Sequence, residues 1–292
     1  DDSRDWNAEF QIKMARFSSV MKLDHPAATD VLLSCRDLYS LSAEFIEIAQ
    51  DIGRTIIEEV SIPAPAKSIK PVNVGGVAGG EKYVQRGIFF KFAIDAFGVY
   101  GGDEFAQKAA GHELAGLKAY YNCHIEGLNT PFMLLMDYRG YRLIATTKLP
   151  IGAGSLIYGS ADGGITIHKD DPTMNEMMEK AAAVINIKAH VVGMRTQTAT
   201  LFAPTDIEGH IGTDGRYYVL DTARICPPEP IHKSFTAVIV SPENPLPVAL
   251  PSFRLWERHN GPTKTTAEFW TPWPALREVG LTTERWMDQI YA

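Results

Sequence analysis

The run RYYVLD, Arg216 to Asp221, ends an otherwise apolar strand on an aspartate, and Arg224 follows three residues later. Tyr217 and Val219 alternate with Tyr218 and Leu220, so both faces are apolar, as in a strand central to its sheet. An ionised carboxylate where such a strand leaves the core costs on the order of several kcal/mol unless it is paired or hydrogen-bonded. Two chemistries satisfy it. In the first, Asp221 closes a buried corner, accepting hydrogen bonds from the backbone N–H groups of Ala223 and Arg224. Arg224, Arg139 or Arg142 then supplies the counter-charge. In the second, Asp221 is a magnesium ligand, and Lys148 on the strand RLIATTKLP grips phosphates in a kinase-like site for ATP and Mg²⁺. The corner is preferred. A protein kinase fits a hinge, a large helical segment and an H-R-D loop with a downstream Asn between such a lysine and aspartate. DIEGHIGTDG offers only Asp206 and His210.

A second cluster is DYRGYR, where Asp137, Arg139, Tyr141 and Arg142 flank a turn; it serves as a ladder across the turn or as a recognition patch for phosphate or a protein. GGVAGGEK, Gly75 to Lys82, departs from the phosphate-loop pattern because Glu81 separates the last glycine from the lysine and Tyr83 follows it, so a mobile loop is expected. YGSADGG places Gly159 directly before Ser160, which does not make a nucleophile elbow. No HExxH or paired-histidine spacing occurs. The expectation is therefore no catalytic residue, no metal and no cofactor, with ATP and Mg²⁺ at Asp221 kept as the alternative. Three scattered cysteines, Cys35, Cys123 and Cys226, fit neither a disulfide framework nor a CxxC site and read as buried apolar groups in a reducing, cytoplasmic setting. A net charge of −7 disfavours bulk nucleic-acid binding, and no apolar run approaches a bilayer span.

Elements that position these residues follow from periodicity. Leu32, Cys35, Leu38, Leu41, Phe45, Ile48 and Ile52 recur every three or four residues, which predicts a helix from Thr29 to Gly53, capped by Thr29 or Asp30. TIIEEVSIP reads as β-like, EKYVQRGIFFKFAIDAF as helical, and DEFAQKAAGHELAGLKAYY as a helix capped by Asp103. From Thr130 three hairpins are expected, turning at Arg139-Gly140, Asp162-Gly163 and Asp214-Gly215. DPTMNEMMEKAAAVINI is a helix inserted between the second and third, with Met174, Met177, Met178, Ala181, Val184 and Ile185 inward. The stretch from Pro227 reads as an irregular, proline-rich arm with a short terminal helix, its tryptophans mostly core. The class is α+β: N-terminal helices, then antiparallel hairpins with an inserted helix, a single domain over 1–292 with a helical part over 1–128 and a β-rich part over 129–292.

SRDWNAEF, GHELAGLKAYYNCHIEGLNTPFMLLMDYRGYRLIATTKLP, LIYGSADGG and IEGHIGTDGRYYVLDTARICPPE occur in this order. Together they resemble the central domain of the clustered-mitochondria (Clu) family. The resemblance implies a cytoplasmic protein that associates with mRNAs or ribonucleoprotein and with protein partners, with no DNA partner, and whose loss makes mitochondria cluster. TKLPIG, HIEG with His124 and LDTAR depart from the family's usual residues. The resemblance carries over no catalytic residue. A binding and scaffolding domain is the expectation, and a nucleotide-binding enzyme using Lys148 and Asp221 the alternative.

Overall fold

The computed structural model describes residues 4–74, 79–194 and 197–225, with the backbone of 266–268. Its elements are α1 (Trp6–Met21), α2 (Ala28–Glu58), β1 (Lys82–Gln85), β2 (Ile88–Phe92), α3 (Asp103–Tyr121), β3 (Leu128–Asn129), β4 (Met133–Tyr138), β5 (Tyr141–Thr147), β6 (Leu156–Gly159), α4 (Pro172–Ile185), β7 (His190–Met194), β8 (Gln197–Leu201), β9 (Glu208–Ile211), β10 (Tyr217–Leu220) and β11 (Thr266–Glu268). The class is α+β.

One sheet runs β1-β2-β5-β4-β11 with every neighbouring pair antiparallel. A second runs β3-β10-β9-β6, and its β3–β10 pair is parallel, a departure from a wholly antiparallel arrangement. β7 and β8 form a separate ribbon. Around the first sheet, α1, α2 and α3 bury one hydrophobic cluster that includes Trp6, Phe10, Leu38, Phe45, Phe90, Phe132 and Met133. A second cluster joins α4 to the β3-β10-β9-β6 sheet through Tyr158, Met174, Met178, Leu201, Ile207 and Val219. Each large side chain taken out of water contributes about 1.5–3 kcal/mol.

Five local readings are corrected. EKYVQRGIFFKFAIDAF is a β-hairpin: Ile88, Phe90 and Phe92 are buried while Phe89 and Lys91 lie on the other face, a period of two. TIIEEVSIP begins inside α2 and not in a strand, because the helix continues to Glu58 with Ile52, Ile56 and Ile57 on its buried face. α2 therefore runs through Gly53, where a Cβ would stand 2.5 Å from the Met136 sulfur; the glycine admits the sheet rather than ending the helix. Neither Thr29 nor Asp30 caps α2, which starts after Ala27 without a side-chain cap. Asp103 opens α3 but accepts from the Asp95 N–H instead of capping it.

The inserted helix α4 begins at Asp171, whose carboxylate accepts from the Met174 N–H at 2.7 Å. Met174, Met178 and Ala181 are buried as expected, while Val184 is exposed. Hairpins close at Arg139-Gly140 and at Asp214-Gly215, with positive φ at Arg139, Gly140 and Gly215. At the second expected hairpin, only Gly159 and His168 pair, around a loop organised by Asp162. Gln197–Leu201 pairs with β7 and not with the third hairpin. Cys35 and Cys123 are buried thiols, and burial pushes them up to about 12 and about 11. Cys226, the stretch expected to form a short terminal helix, and Trp256, Trp270, Trp273 and Trp286 lie outside the described residues.

α1 is tied across the molecule. Asn7 donates to the Tyr218 hydroxyl at 2.7 Å, Tyr218 donates to Asp214 at 2.7 Å, and Gln11 donates to the Thr130 carbonyl at 2.7 Å. Trp6 donates to the Arg86 carbonyl at 3.0 Å. The first helix thus joins the first sheet to the hairpin that carries Asp221.

Candidate functional site

β10 is paired on both sides, by β9 and by β3. At its end Asp221 adopts φ 56° and ψ 48°, the left-handed region, which a non-glycine residue enters at a cost unless its surroundings hold it. This single residue turns the chain off the sheet into a short 3₁₀ turn, Thr222–Arg224. Its carboxylate makes no capping hydrogen bond to that turn. The expected corner is therefore corrected: the left-handed Asp221 starts the turn without its carboxylate accepting from the N–H groups of Ala223 and Arg224. The proposed arginine partners are engaged elsewhere. Arg224 pairs with Asp206 at 3.0 Å, Arg142 forks onto Asp137 at 2.8 and 2.7 Å, and Arg139 reaches Glu58 at 3.6 Å.

What fixes the turn is α3. Thr222 donates its hydroxyl to the Glu113 carbonyl at 2.8 Å. One turn along the helix, a Cβ on Gly116 would lie 2.2 Å from the Thr222 carbonyl oxygen, so only glycine lets the turn seat there. Arg142 also donates to the Gln107 carbonyl at 3.2 Å, which clamps the same helix to the β4–β5 hairpin.

The result is a cleft of about 570 Å³ between β2, α3, the Ser160–Gly163 loop and the 3₁₀ turn. Lys91 enters from β2, opposite Ile144 of β5. Its ammonium lies 3.6 Å from the Glu113 carboxylate of α3, the two side chains being only 21% and 14% exposed. Glu113 and Asp221 together hold the Lys91 ammonium well above the usual lysine range against its own desolvation. Asp221 behaves in the opposite way. Burial pushes its carboxyl up from 3.8 to about 7; Lys91 pulls it down, and Glu113, Glu208 and Asp206 push it further up. Tyr100 lines the same space, raised chiefly by burial.

The rim is fixed by short hydrogen-bonded motifs. Ser160 donates to Asp162 at 2.8 Å and accepts from the Gly164 N–H at 2.9 Å, so its hydroxyl is a turn element, not a nucleophile. Backbone and hydroxyl donors around Thr166 lower Asp162 to about 2. His210 bridges Ser155 at 2.9 Å and Glu208 at 3.0 Å, which steadies Glu208 at the cleft wall.

On the β4–β5 hairpin Asp137 faces Arg142 across the strands, Arg139 stands in the turn, and Tyr141 packs its ring 5.9 Å from Phe92. Lys148 lines a different crevice, of about 470 Å³, with Arg4, Asp5 and Arg86. The residues that accompany Asp221 are Lys91 and Glu113, which sequence reasoning passed over. The signal for Lys91 was present in IFFKF, a lysine on the polar phase of an alternating strand. Among the described residues no group of three or more His, Cys, Asp or Glu could hold a metal alone. A hard cation at Asp221 would need further ligands from a bound molecule or water.

An α+β fold with a carboxylate-rich cleft and a half-buried lysine is thus the class. The sequence pattern describing clustered mitochondria matches residues 5–231, and the chain belongs to that family. It is 30% identical over 238 residues to a clustered mitochondria protein homolog of Neurospora crassa, covering 78% of this chain and 17% of the relative. Against the homolog of Danio rerio it is 29% identical, covering 78% and 16%, and against protein clueless of Drosophila virilis 29%, covering 78% and 15%. The chain therefore spans about a sixth of the length of these relatives. No solved structure matches. Among the described residues no helix is long and apolar enough to cross a membrane.

Proposed function

We propose that this chain is the folded core of a Clu-type protein that acts in the cytoplasm, governs mitochondrial distribution and associates with mRNA. Its part in that work is that of a binding and scaffolding module. The supporting observation is the family match across residues 5–231, which takes in α1, the β3-β10-β9-β6 sheet, the first sheet apart from β11, and the Asp221 turn. α1, bound at once to Tyr218 and to the Thr130 carbonyl, makes these elements one framework on which partners can be positioned. The net charge of −7 directs RNA association to a local surface or a bridging protein, not to a bulk basic face. Crosslinking the chain to RNA in cells tests the reading: transcripts should be recovered above a non-binding control. Recovery equal to that control at every salt concentration contradicts RNA association.

A further inference from the structure

We propose that the cleft floored by Lys91, Glu113 and Asp221 binds the magnesium complex of a nucleoside triphosphate, with Asp221 on the metal and Lys91 on the phosphates. The site is separate from RNA association and is read by ligand binding alone.

Four observations converge. The Lys91 ammonium is held in place by Glu113 from a neighbouring helix at 3.6 Å, a strand lysine fixed by a helix glutamate, which is how phosphate-gripping lysines are oriented. Asp221 leaves its strand in a left-handed conformation that no turn hydrogen bond explains, and it lines the same cleft. Gly116 and Thr222 seat the turn on α3, so Asp221 is brought to the helix that carries Glu113. The cleft, about 570 Å³, lies within the size range of small-molecule sites and has an apolar wall, with Ile94 and Ile144, for a base and sugar.

Charge selects the magnesium complex over the free nucleotide. Among the described residues that line the cleft, the carboxylates of Glu113, Asp206, Glu208 and Asp221 outnumber the cations Lys91 and Arg224, with His112 beside them, so an uncomplexed triphosphate is repelled. Magnesium lessens that repulsion by offsetting two of the triphosphate's charges, and it ordinarily binds through one or two carboxylates, phosphates and waters, which suits a cleft lacking a ready-made three-ligand group among the described residues.

The test is a thermal-shift series on the full chain with ATP and magnesium, ATP with EDTA, magnesium alone, and magnesium pyrophosphate. ATP with magnesium at roughly a hundred times its Kd should raise Tm by about 5 °C. ATP with EDTA and magnesium alone should not raise it, and magnesium pyrophosphate should do so less. Asp221→Asn, nearly isosteric, should abolish the rise while melting cooperatively without ligand, and Lys91→Met should do the same. Lys148→Ala should keep the full rise. If Lys91→Met fails to fold, Asp221→Asn carries the test. A flat response of the parent chain, a rise equal in EDTA, a rise untouched by Asp221→Asn, or one lost in Lys148→Ala overturns the proposal.

Discussion

Replacing Asp221 with asparagine should make the chain more stable, and by an amount that depends on pH in a defined direction. In the folded chain burial holds the carboxyl near 7, against 3.8 ordinarily. Each tenfold change is worth about 1.4 kcal/mol, so the ionised carboxylate costs at most about 4 kcal/mol, and about 2 to 4 once water in the cleft is allowed for. The sign follows from proton counting. Between about pH 4 and pH 7 the native chain keeps this proton while the unfolded chain has released it, so stability falls as pH rises and levels off above 7. Lys91 from β2, Glu113 from α3, Glu208 from β9 and Asp206 before it all act on the group and are unchanged in the variant. Denaturant unfolding of both proteins in magnesium-free buffer, from about pH 4 to about pH 8, measures the difference at constant m-value. The variant's advantage should be near zero at the acid end and about 2 to 4 kcal/mol at the alkaline end. A difference that does not change with pH, or a less stable variant at pH 8, would refute the reasoning.

Further outcomes rest on the seats around the cleft. Gly116→Ala gains about 1 kcal/mol of helix propensity, yet its Cβ would stand 2.2 Å from the Thr222 carbonyl oxygen, so a net loss of about 1–3 kcal/mol is expected by chemical denaturation. Tyr218→Phe leaves the buried Asn7 amide without its acceptor and should cost about 1–3 kcal/mol, visible as a lowered midpoint in urea. Arg142→Lys cannot fork onto Asp137 and also reach Gln107; because the pair is partly exposed, the loss should be about 1 kcal/mol in the same assay.

How far the sequence could be read depends on which residues carried a local rule. The helix over Leu32–Ile52 and the Met-rich helix α4 were legible because their apolar residues repeat at helical spacing over several turns. The Arg139-Gly140 turn was legible too, but the same dipeptide at Arg86-Gly87, with φ of 50° and 72°, closes β1 onto β2 and was read as helix. Five of the six residues Ile88–Ala93 are apolar, which masked their period of two. With β2 taken as helix, Lys91 had no strand position to draw notice, and the lysine weighed beside Asp221 was Lys148 of RLIATTKLP. Asp221 was singled out correctly as a carboxylate in need of an explanation, but the direction in which its backbone turns is a tertiary fact. It depends on Gly116 and Thr222, more than a hundred residues apart in sequence. Glu113 in GHELAGL has no local mark that separates it from any other helix glutamate; only the distance to Lys91 does.

The most direct measurement is an anomalous-scattering map from crystals grown with manganese in place of magnesium and a non-hydrolysable ATP analogue. The account predicts a manganese peak about 2 Å from an Asp221 carboxylate oxygen, with phosphate oxygens in reach of the Lys91 ammonium and the Lys91–Glu113 pair intact. Manganese and nucleotide seated instead against Lys148, or a cleft without either at saturating concentrations, would contradict it.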